Sequence, residues 1–144
     1  MQEFLHHSAG EEFDFGTVVF SEEEIIAFAK AYDPLDFHLS KSAAREHFFK
    51  DIVASGPHPF HHFYKNVWVP RFGKTVLAGL AVDNWRFLKP VYAGDQIRCN
   101  VIITDITYHP ERNSASVRWN FNFVNKNDEI FQHLEMLVLH LAKA

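Results

Sequence analysis

The chain has 144 residues, 47% of them hydrophobic and 22% charged, which suits a single globular domain over 1–144 and is too apolar for a disordered chain. A net charge of -4 with scattered Lys and Arg offers no cationic footprint, which sets aside sequence-independent nucleic-acid binding. No apolar stretch approaches membrane-spanning length, no basic start leads into an apolar run, and the single Cys99 cannot close an internal disulfide, so a cytoplasmic protein without a membrane partner is expected.

Residues 1–12, with adjacent His6 and His7 and little periodicity, read as a flexible N-terminal arm. Within Phe13 to Phe20, a glycine is followed by the β-favouring run Thr17-Val18-Val19-Phe20, which predicts a short strand. Ser21 and Glu24 form a capping box, and Ile25, Phe28, Ala29 and Tyr32 recur at helical spacing. Pro34 forbids simple continuation, so Asp33 stands at the helix exit and a loop runs to His38. Ser40 then caps a second short helix through Ala43, Ala44, His47 and Phe48.

Pro57 and Pro59 fit only the first turn of a helix, and Phe60, Phe63, Tyr64 and Val67 mark its apolar face, so a central helix is expected over 57–69, ending before Pro70. From Thr75 the pattern becomes extended. Strands are expected over Thr75 to Leu88, around Ile97 to Ile103, over Ser114 to Phe123 with one covered face, and from Glu129 to about Leu141. Helices followed by a meandering antiparallel sheet give an α+β fold, with the central helix laid across the covered face.

The chemistry concentrates in Asp33-Pro34-Leu35-Asp36-Phe37-His38. A carboxylate and a neutral imidazole converging on one point can hold and deprotonate a water, although the same residues in isolation are ordinary turn chemistry. Gly56, at the start of the central helix, can present an unpaired N–H to an oxygen gaining negative charge. Asp36 reads either as a second participant or as a solvated loop acid, and Ser55 as a helix cap. His58 and His62 have the i, i+4 spacing of zinc ligands, with His38 as a conceivable third. No Glu lies between the pair, and a histidine-rich chain produces such spacings by chance, so no metal is expected. Cys99 reads as a buried core thiol.

Asp33-Pro34-x-x-Phe37-His38, then Ala54-Ser55-Gly56-x-His58, then Val82-Asp83-x-x-x-Phe87-Leu88-Lys89-Pro90-Val91-x-x-Gly94-Asp95 come in an order that resembles the MaoC-like dehydratases, relatives of the (R)-specific enoyl-CoA hydratases. The resemblance runs from about Phe13 to Leu141. It implies a hot-dog fold, in which a long antiparallel sheet wraps a central helix and two subunits join into a homodimer or a higher homo-oligomer. It implies Asp33 and His38 as the catalytic pair and Gly56 as the oxyanion residue. Asp36, Ser55 and His58 are this chain's own candidate supporting residues. The implied reaction is reversible addition of water to a 2-enoyl thioester, with coenzyme A as part of the substrate and no other cofactor. Arg71, Lys74, Arg86, Lys89 and Arg98 are candidate contacts for the coenzyme's phosphates or plain solvated surface. The loop departs from the hydratase pattern, which has asparagine two after the acid and proline next, whereas Pro34 here follows Asp33 directly; many relatives also carry histidine where this chain has Ser55. A hot-dog acyl-CoA thioesterase and a non-catalytic acyl-thioester-binding or assembly subunit remain as alternative readings.

Overall fold

The computed structural model describes residues 6–143. Five strands form one antiparallel sheet in the order β1-β3-β4-β5-β2, with β1 at Glu12–Val19, β2 at Val76–Phe87, β3 at Gln96–His109, β4 at Ser114–Val124 and β5 at Ile130–Leu141. The alternation expected for the middle strands is realised: Ile97, Cys99, Val101 and Ile103 on β3, and Ala115, Val117, Trp119, Phe121 and Phe123 on β4, all point inward and are fully buried.

Helix α1, Glu22–Tyr32, opens with both bonds of the capping box, Glu24 N–H to Ser21 Oγ and Ser21 N–H to the Glu24 carboxylate, each 3.1 Å. The central helix crosses the inner face of the sheet and buries its aromatic side there. Phe60 meets Phe121 at 5.2 Å between ring centroids, Trp68 stands edge-on to Trp119 at 5.5 Å, and Phe72 lies against Trp119 at 4.6 Å. Together the sheet and the enclosed helix make the hot-dog arrangement.

Four local expectations are corrected. The central helix runs through Pro70: α4, His58–Phe63, passes into a wide π turn over Tyr64–Trp68 and then into α5, Val69–Phe72. In the widened turn Val69 N–H bonds to Tyr64 O, five residues back, which opens the backbone just where the proline ring would strike the preceding turn and where its N–H is missing. The stretch up to His38 is not all loop, because Asp36–Leu39 forms a one-turn helix, α2. Helix α3, Lys41–Arg45, is capped by Ser40 as expected but stops before His47 and Phe48, leaving Phe48 84% exposed. Strand β1 is longer than the run after its glycine, since Gly16 at φ +91° forms a bulge that lets pairing with β3 continue on both sides.

Residues 1–5 of the expected arm lie outside the described residues, but His7 is buried against Phe13 and Phe72, and Glu12 already belongs to β1. At the other edge, among the described residues, β2 is bonded to β5 alone and exposes Leu77, Leu80 and Val82. Among the described residues, no helix is long and apolar enough to cross a membrane.

Candidate active site

Chain segments remote in sequence meet around one cavity of about 470 Å³. Asp33 and His38 line it with Ser55 and Gly56, and the walls are largely apolar, including Phe49, Phe87 and Val91, with Gln132 from β5. Asp33 occupies the exit of α1, where its N–H bonds to Ala29 O and its side chain leaves the helix toward the cavity. His38 is held by the single turn of α2, a geometry that an extended loop would not fix.

The hydrogen bonds of His38 decide its tautomer. Nδ1 lies 2.6 Å from Val53 O, and a carbonyl can only accept, so Nδ1 carries the proton. In the neutral ring Nε2 therefore bears a lone pair, and it lies 3.4 Å from Asp33 Oδ2. The imidazole is almost fully buried, whereas the carboxylate is about one-third exposed. Ser55 Oγ donates to the same Asp33 oxygen at 2.7 Å. This is a correction to the capping expectation: no side chain caps α4, and the hydroxyl instead fixes a carboxylate 22 positions away.

Gly56 lies one residue before Pro57, the N-cap position of α4. Among the described residues its N–H has no hydrogen-bond partner. A Cβ built at this position would stand 2.6 Å from Phe87 Cε1, so the ring sits where any side chain would project. The absent side chain is thus a requirement of packing.

The remaining candidates lie elsewhere. Asp36 is the exposed first residue of α2 and does not line the cavity, so its carboxylate complements the helix terminus and not the imidazole. His58 turns away from the cavity and is sandwiched between Phe20, 3.8 Å between centroids, and Phe28, 4.2 Å, with near-parallel planes. The expected supporting role for His58 has no contact behind it. Histidines 38, 58 and 62 do not converge, and among the described residues no three metal-binding side chains cluster. Cys99 is buried, and burial pushes its thiol well above the usual range, as a core thiol requires. Of the five basic candidates only Lys89 lines the cavity, where it also pairs with Glu129. Trp68 and Trp119 are fully buried core.

Burial lowers the His58 pKa to about 4, against a smaller opposing pull from Glu24; the neighbouring His61 and His62 add to the lowering. Because the folded state resists a proton that the unfolded chain accepts from about pH 6.5 downward, stability falls as pH drops from there toward 4. Urea unfolding across this range should give a shallower pH dependence for His58→Phe than for the parent chain. Buried His140, lowered to about 3 chiefly by desolvation, keeps part of the dependence in both proteins.

The description of the matching family model is MaoC like domain, and it matches residues 5–119. The uncharacterized protein YdeM of Bacillus subtilis is 28% identical over 110 residues, covering 75% of this chain and 76% of that protein. The crystal structure of the MaoC-like dehydratase from Rhodospirillum rubrum superposes with a TM-score of 0.86 at 23% identity, covering 100% of this chain and 99% of the other. The R-hydratase PhaJ1 from Pseudomonas aeruginosa, in its unliganded form, superposes with a TM-score of 0.73 at 19% identity, covering 98% and 85%. With a matching family model spanning most of its length and a helix wrapped by an antiparallel sheet, the chain belongs to the MaoC-like domain family.

Proposed function

We propose that the protein is a hydro-lyase that adds water reversibly to the double bond of a 2-enoyl thioester, the reverse direction being dehydration of a 3-hydroxyacyl thioester. The observation that carries this reading is the convergence of the His38 Nε2 lone pair and the Asp33 carboxylate, 3.4 Å apart, on a cavity that Gly56 also lines. A water bridging the two from the cavity side donates one hydrogen to each, since both are acceptors. Its oxygen then forms the bond to the β-carbon while one of its protons passes to the Asp33–His38 pair. The thioester oxygen gathers the displaced charge and accepts from Gly56 N–H until the α-carbon takes a proton from the pair, so that the elements of one water have been added.

The apolar walls suit an acyl chain, and the names of structural neighbours as R-hydratase and MaoC-like dehydratase agree with the same chemistry. Coenzyme A enters only as part of the substrate, and Lys89 at the cavity is the basic side chain nearest to hand for its phosphates. A homodimer formed along the free edge of β2 is part of this reading, because that strand exposes Leu77, Leu80 and Val82 beside unpaired backbone. A cytoplasmic setting completes it.

The test is to incubate the protein with crotonyl-CoA and longer 2-enoyl-CoAs, following conjugated-enoyl absorbance and free thiol together. The expected result is loss of absorbance without thiol. Thiol release would make the protein a thioesterase, and no change in either signal would leave an acyl-binding subunit; both outcomes overturn the proposal.

A further inference from the structure

Gly56 combines two demands that conflict. As the proposed oxyanion donor, its N–H has to stay aimed at one point in the cavity, yet glycine has the least restricted backbone of any residue, and Phe87 bars a side chain that could stiffen it. Neighbours therefore have to supply the rigidity. On its N-terminal side, Ala54 N–H bonds to Val91 O at 2.8 Å, and Ser55 is tied through its hydroxyl to Asp33. On the C-terminal side Pro57 follows with its ring-fixed φ of -68°.

The carbonyl of Gly56 stands outside the helical ladder. Among the described residues no backbone N–H bonds to it; its partner is the side chain of Gln132, whose Nε2 donates at 2.9 Å. Gln132 lies on the inward face of β5, is only 3% exposed, and neighbours the buried Phe131, Phe123 and Leu134. An amide is a costly choice for such a place, because burying a polar group is unfavourable unless it is hydrogen-bonded. A leucine or methionine would fill similar space without that cost. The bond to Gly56 accounts for the polarity at this position.

We propose that Gln132 is a positioning residue, which holds the peptide on the C-terminal side of Gly56 so that the preceding peptide keeps its N–H aimed into the cavity. The inference rests on the reading of Gly56 as the oxyanion donor. It reaches across 76 positions of sequence, from the last strand to the start of the central helix. Gln132 touches no reacting atom in this assignment.

The test uses the full chain carrying Gln132→Met, which keeps length and removes the donor. With crotonyl-CoA, kcat should fall by about tenfold or more while KM changes little, since a misaimed oxyanion donor costs the transition state and not substrate binding. In parallel, 15N relaxation should report a more mobile Gly56 amide in the variant, with the Ala54 amide unchanged. Gln132→Glu serves as the second variant: protonated, its carboxyl can donate to Gly56 O, so turnover should approach that of the parent at low pH and decline as the carboxyl ionises. A mere packing role would lower Tm without these effects. Unchanged kcat together with an equally rigid Gly56 amide overturns the assignment. If the parent chain hydrates no enoyl thioester, the functional reading fails, and the relaxation comparison still decides whether Gln132 holds Gly56.

Discussion

Asp33→Asn should lower hydration of a 2-enoyl thioester by about two to four orders of magnitude, the range associated with loss of a positioned acid or base. The amide occupies the space of the carboxylate and can still accept from Ser55 Oγ, now 2.7 Å from Asp33 Oδ2, so the loop should keep its shape. What disappears is the capacity to take a proton from water. His38→Ala should cost a similar factor for a different reason, because it removes the Nε2 lone pair and also the donor to Val53 O. Since that imidazole is buried, the alanine variant should lose stability as well, and its rate has to be measured well below its own Tm. Circular dichroism and thermal melts separate the two effects. Near-normal turnover in Asp33→Asn with an intact fold would remove Asp33 from the mechanism.

Gly56→Ala should reduce turnover by roughly a hundredfold or more, comparable with losing an oxyanion donor, although alanine retains the N–H. The reason is steric. The new methyl would meet three atoms of the Phe87 ring at 2.6 to 3.0 Å, and either the ring swings into the cavity mouth or the Gly56 peptide tilts. Phe87 is half-exposed on the edge strand and can yield, so folding should survive. The double variant Gly56→Ala with Phe87→Ala should recover much of the rate, giving a strongly non-additive cycle measured as kcat with the same substrate. If the double variant is as slow as Gly56→Ala alone, the ring contact is not the cause.

Residues whose partners are close in sequence were the most legible. The capping box at Ser21 and Glu24 is a contact between positions three apart, and the alternating faces of β4 follow directly from the pleat. Asp33, His38 and Gly56 were readable as a set because their order along the chain matches a family pattern, and the cavity brings them together. The one-turn helix around His38 was not readable, since four residues are too few to show a period. Nor was the passage through Pro70, because a local rule forbids it and only the wide turn before it removes the objection. The bond of Ser55, already a candidate supporting residue, to Asp33 and the whole role of Gln132 were hidden for a different reason. Each is defined by one polar contact to a distant segment, and neither residue type carries a signal for such a contact. His58 misled because its family position and its histidine neighbours pointed to chemistry, whereas its surroundings are two phenylalanine rings.

The order of strands in the sheet has a consequence for how the molecule comes into being on the ribosome. Among the described residues strand β2 bonds to β5 alone, which follows β3 and β4 along the chain, so β2 is complete more than fifty residues before that neighbour is. At ordinary synthesis rates that interval lasts on the order of several seconds. Throughout it the segment carrying Leu77, Leu80 and Val82 lacks the strand it pairs with in the finished fold. The wall of the cavity shares this timing, because Phe87 arrives with β2 and Gln132 with β5. The nascent chain therefore holds Asp33, His38 and Gly56 long before the insertion of its final strand closes the sheet and the cavity around them at once.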